Sequence, residues 1–128
     1  AVRVRPPPPH QAAASVVSVE TEPCAVRVSE IGDRGPWTFL ADHVFSDGGR
    51  GGSTSSQIDV YHALGADLLA GLLQGRSGSI LAFGAAGTGK SHSLLGYGEE
   101  PGLMPHITAE LFRLAASRPE FQVCCSYM

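Results

Sequence analysis

The sequence predicts an α/β fold, helices packed on a central sheet, and three observations carry that expectation. Segments of period-two alternation fill the first half. Apolar stripes at helical spacing fill the second half, and a glycine-bounded apolar run stands between two of the helical segments. The chain has 128 residues, 43% hydrophobic and 16% charged, enough to bury the core of one ordinary domain. A formal charge of −3 leaves no general basic face, so no nucleic-acid partner is expected. No apolar run approaches the roughly 18 residues of a membrane span, and the opening AVRVRPPPPH lacks the apolar core of a signal peptide. No membrane partner is expected either. Three cysteines, with Cys124 and Cys125 adjacent, make neither a disulfide ladder nor a CxxC metal pair, and are expected to pack as small apolar residues in a reducing compartment.

In chain order, AVRVR reads as a short strand halted by the prolines Pro6 to Pro9. ASVVSVE, AVRVS and the aromatic, branched WTFLADHVF supply three more strands, joined by turns at Glu22-Pro23 and at Gly32 to Pro36. The run Ser46 to Gln57, rich in glycine and serine, reads as a surface loop, and Ser55 or Ser56 is placed to cap the helix that follows it. Tyr61, Leu64, Leu68, Leu69 and Leu72 form one stripe of a helix ending at Gly75. SILAF, Ser79 to Phe83, reads as a buried strand. A helix begins at KSHSLL, another covers MPHITAELFRLAAS, and FQVCCSYM reads as a closing strand.

The stretch GAAGTGKSH, Gly84 to His92, holds Lys90, the sole lysine of the chain. Strand, glycine loop and helix in that order form the setting of a phosphate-binding loop, and Gly84, Gly89, Lys90 and Ser91 fit G-x-x-x-x-G-K-[ST] in full. Glycines let backbone N–H groups converge on phosphate oxygens without Cβ clashes, and a helix N-terminus presents partial positive charge to the anion. Lys90 adds a mobile charge. The Ser91 hydroxyl stands where it can ligate Mg²⁺ bridging the outer phosphates.

Around that loop the chain resembles the kinesin motor domain. VRVRP at Val2 to Pro6, FLADHVF at Phe39 to Phe45, the block from Gln57 through the loop, PGLMPHITAELF, and FQVCCSYM match the family's blocks in order and spacing. The resemblance implies a P-loop NTPase-type central sheet flanked by helices, with ATP and Mg²⁺ as cofactors. Gly84, Ala85, Ala86, Gly87, Thr88, Gly89, Lys90 and Ser91 would surround the phosphates, Ser91 would hold the metal, and Arg3, Arg5, Pro6 and His92 would lie near the adenine. Read without the family, Arg3 and Arg5 equally suit the solvent face of an edge strand, and His92 a polar position of a helix. The family also implies microtubules as partner, through regions beyond residue 128, and a place in the cytoplasm on the cytoskeleton.

Three departures stand out. The family loop reads G-Q-T-[GS]-[SG]-G-K-T, and Ala85 and Ala86 replace its polar residues; His106 replaces the arginine that follows proline; and the loop at 46 to 56 is longer than the family's. Neither N-x-x-S-S-R nor D-x-A-G-[ST]-E, the switch motifs that position water and Mg²⁺, occurs in the sequence. Residues 1–128 are therefore expected to be the N-terminal portion of a motor domain, ending before the switches and inactive alone. Two rivals stand beside this reading: a kinesin-like protein that binds microtubules or acts as a scaffold without hydrolysis, and an unrelated P-loop NTPase that shares only the loop.

Overall fold

The computed structural model of the chain describes residues 1–7, 16–20, 24–29, 32–46, 55–118 and 120–126. It divides into two units, Ala1–Ser56 and Gln57–Met128.

The first unit is built of strands, as the alternating sequence requires. β1 (Val2–Val4) runs parallel to β5 (Val44–Ser46), with Val2 opposite Val44, Arg3 opposite Phe45 and Val4 opposite Ser46. β2 (Val17–Glu20), β3 (Ala25–Val28) and β4 (Trp37–Leu40) form an antiparallel meander in which Val26 stands between Val19 and Phe39. Cross-strand neighbours of this branched and aromatic kind are the unit of sheet stability. Val19, Ala25 and Val26 are buried, whereas every residue of β4 is exposed. The expected bend over Pro6 to Pro9 is described only as far as Pro7, and the turn at Glu22-Pro23 lies outside the described residues. Residues 47–54 of the Gly-Ser loop also lie outside them. The ends of that loop are tied, since the Ser55 N–H donates to the Ser46 carbonyl at 2.7 Å and the Ser55 hydroxyl accepts from the Ser46 N–H at 3.3 Å. Ser55 thus turns its side chain to β5.

The second unit opens with α1 (Gln57–Val60), which passes through a π-helical turn (Tyr61–Gly65) directly into α2 (Ala66–Leu73). The periodicity predicts one uniform helix; the wider turn changes its phase. Val60 and Gly65, five residues apart, are both buried, and Leu72 at the end of the expected stripe is 38% exposed. Gly65 faces the ring of Tyr61 and Ile107 of α4 (Leu103–Ala116), so a side chain there would have to displace both. Pro105 sits in the first turn of α4, where its missing N–H costs nothing.

Between these helices lie α3 (Lys90–Leu94) and a hairpin of β6 (Gly96–Tyr97) and β7 (Glu100–Pro101) that no periodicity in the sequence marks. Ser79–Phe83, expected as a strand of a central sheet, pairs with no strand among the described residues, and Leu81 and Phe83 are 90% and 96% exposed. Residues 121–126 likewise pair with none, which leaves Cys124 and Cys125 exposed instead of packed. A strand exists only through its neighbour, so an apolar run alone does not make one. The α/β character stands, carried among the described residues by three small sheets and the helices.

Gly96 closes the hairpin. Its φ is 80°, and a Cβ there would strike the Glu100 carbonyl oxygen and the Gly102 nitrogen, both backbone atoms that cannot move aside. Gly96→Ala is therefore expected to cost about 2–4 kcal/mol, left-handed strain and overpacking together, read as a lowered midpoint in chemical unfolding.

Candidate functional site

The glycine loop folds back on its own carbonyls. Gly84, Gly87 and Gly89 have φ of 151°, 74° and 95°, values that side-chain-bearing residues rarely adopt, and they turn the chain from the extended Ser79–Phe83 segment into α3. Lys90 Nζ donates to the Gly84 carbonyl at 2.9 Å and to the Ala85 carbonyl at 2.6 Å. The Thr88 hydroxyl donates to the same Ala85 oxygen at 2.8 Å. A lysine ammonium carries three N–H donors, so two bonds to the loop fix its place across it and leave one donor and the full charge available to an anion.

His92, in the first turn of the second unit's short helix, is held from two sides. Gln57 Nε2 donates to the His92 carbonyl at 2.7 Å and lies 3.4 Å from its ring nitrogens. On the other side the imidazole stacks on Tyr97 at 5.8 Å, and Nε2 is 3.4 Å from a carboxylate oxygen of Glu100. The start of α1 and the hairpin thus converge on one imidazole.

The structure accordingly brings Gly84, Ala85, Ala86, Gly87, Thr88, Gly89, Lys90, Ser91 and His92 together in the second unit. Arg3, Arg5 and Pro6 belong to the first unit, with Arg3 within β1 and Arg5 and Pro6 just beyond its end. Ser91 is exposed in the first turn of α3, and its hydroxyl oxygen is a hard ligand of the kind Mg²⁺ prefers. Among the described residues no group of three His, Cys, Asp or Glu side chains could hold a metal by itself, so a single hydroxyl fits only an ion that phosphates also ligate. His106, one of the departures noted above, packs its ring 5.4 Å from Tyr61.

Gln57, Tyr97 and Glu100 escape sequence reasoning. A polar residue at a helix start reads as solvated, and Tyr97 and Glu100 sit in a two-residue hairpin too short for any periodicity to mark. Replacing Gln57 by Glu, which sets a carboxylate against the His92 carbonyl, is expected to destabilise the second unit by roughly 1–3 kcal/mol, and more than Gln57→Ala does, in denaturant titrations of the two variants.

Comparison with known proteins identifies the family. The kinesin motor domain description matches residues 3–128. Kinesin-like protein KIF18B of Mus musculus is 39% identical over 94 residues, covering 71% of this chain and 11% of that protein, and the Homo sapiens KIF18B is 34% identical across 98% of this chain and 17% of its own length. Among solved structures, KIF14 residues 391–755 with ADP in complex with a microtubule superposes with a TM-score of 0.79 at 30% identity, over 91% of this chain and 33% of that one. This chain thus spans a small part of its curated relatives and a third of that motor structure. A match running from Arg3 to the last residue reaches far past the loop that unrelated nucleotide-binding proteins share, and the chain belongs to the kinesin motor domain family.

Proposed function

We propose that this chain is the nucleotide-binding part of a microtubule motor, taking the phosphates of ATP at Gly84–Ser91 and, in the complete protein, coupling ATP hydrolysis to movement along microtubules. The observation that carries the reading is the placement of Lys90 Nζ on the Gly84 and Ala85 carbonyls, which holds a cation at the loop of a kinesin-family chain. The KIF14 neighbours, one with ADP and one with AMP-PNP, both in complex with a microtubule, support the ligand and partner classes.

In this reading the loop amides and Lys90 bind phosphate oxygens, Ser91 Oγ contributes one ligand to Mg²⁺, and His92 lies near the base, while Arg3, Arg5 and Pro6, which belong to the first unit, keep only the role that the resemblance implies for them. The Ser91 hydroxyl would hold Mg²⁺, which would supply positive charge against the phosphates. Tyr97 and Glu100 keep the His92 ring in one orientation and so reduce the entropy that binding a base would cost. Residues 1–128 act as the N-terminal portion of the motor domain, with the switch elements and the microtubule-contacting loops supplied from outside this segment, on the cytoskeleton of the cytoplasm. No described helix is long and apolar enough to cross a membrane.

A second reading, a kinesin-like protein that does not hydrolyse ATP, is favoured by one observation: Ala85 and Ala86 present only methyl groups in the loop. The two readings part on turnover, because microtubule-stimulated phosphate release by the full-length protein belongs to the first alone.

Lys90→Ala in the full-length protein is expected to weaken ATP binding at least tenfold and to leave adenosine binding unchanged, measured by calorimetry or fluorescence competition. Equal ATP affinity in wild type and variant would remove the phosphate site. Ser91→Ala is expected to weaken ATP binding in the presence of Mg²⁺ and to match wild type when EDTA removes the metal, since its loss is of a metal ligand.

A further inference from the structure

Within Gly84–Ser91 only Thr88, Lys90 and Ser91 carry side-chain hydrogen-bonding groups, because Ala85 and Ala86 bear methyls and the remaining positions are glycine. Two of those three side chains converge on one atom. The Ala85 carbonyl oxygen accepts from Lys90 Nζ at 2.6 Å and from Thr88 Oγ1 at 2.8 Å, with the Thr88 N–H a more distant third donor at 3.5 Å. The Thr88 hydroxyl also lies over the bare Cα of Gly84, where a Cβ would come within 2.8 Å of Oγ1. A peptide unit is planar and moves as a whole, so anchoring this oxygen anchors the Ala85–Ala86 peptide against which Lys90 rests.

Resting on the phosphate-site reading above, we propose that Thr88 is a positioning residue for phosphate binding: its hydroxyl fixes the Ala85 carbonyl so that Lys90 is held across the loop in the place from which it meets the phosphates. The Thr88 N–H also reaches this oxygen, at 3.5 Å, so the hydroxyl at 2.8 Å is the shorter and stronger of the two contacts residue 88 makes with it. Without it the carbonyl turns more freely, Lys90 loses the better placed of its two acceptors, and ordering the lysine falls to the incoming nucleotide.

The test compares wild type, Thr88→Val and Thr88→Ser in the full-length protein, with ATP and adenosine as ligands. Valine keeps the shape and removes the donor, and serine restores the donor. Thr88→Val is expected to bind ATP about five-fold more weakly, the size of one net hydrogen bond, with Thr88→Ser within about two-fold of wild type and adenosine affinity the same in all three. Unchanged ATP affinity in Thr88→Val overturns the proposal, as does an equal loss in Val and Ser, which would assign the effect to the methyl group. A parallel loss of adenosine binding overturns it too, since that marks general damage to the fold. If wild type itself binds no ATP, the phosphate-site reading falls and this inference falls with it.

Discussion

One ammonium group shared between two carbonyls, Lys90 Nζ on Gly84 and Ala85, is the constraint on which the second unit's loop depends. Gly84–Gly89 has no regular secondary structure to hold it, and three of its residues occupy backbone regions that favour open turns. The lysine at the start of α3 reaches back across the loop and turns it into a closed ring of contacts, with Thr88 closing the same ring from inside. A long flexible side chain suits this task because its reach spans six residues of chain while its charge stays accessible.

Everything that flanks the ring steadies the helix that carries Lys90. Gln57 ties the start of α1 to the His92 carbonyl, and the β6–β7 hairpin leans Tyr97 and Glu100 on the His92 ring. The hairpin in turn closes only because Gly96 lets the backbone of Glu100 and Gly102 come close, and the Gly102 N–H donates to the Leu95 carbonyl at 3.1 Å just beyond α3. A five-residue helix has too few internal hydrogen bonds to stand by itself, so these neighbours supply the order that its length cannot.

The α1, π-turn and α2 segment adds a second layer. Its wider turn at Tyr61–Gly65 brings Gly65 against Ile107, and Leu69 and Leu103 are among the few side chains of this unit that are truly buried. By contrast Leu81, Phe83 and Phe112 remain open.

By itself the sequence determined that a helix follows the Tyr61–Leu72 stripe, that others start at Lys90 and cover 104–117, that ASVVSVE, AVRVS and WTFLADHVF are extended, and that the loop holds the single lysine, because each is written in periodicity or alternation between residues close in the chain. The pairing of β2, β3 and β4, and the division of WTFLADHVF between β4 and β5 in two sheets, came from the tertiary structure. Only the tertiary structure decided that Ser79–Phe83 stands without a ladder partner among the described residues, that a π turn shifts the buried face of the first long helix, and that Gln57, Tyr97 and Glu100 surround His92. Apolar runs announce burial but not the strand that will cover them, and a polar side chain 35 residues away leaves no periodic trace of the carbonyl it will meet. The motif names which residues form the loop; the folded chain decides which carbonyls the lysine grips.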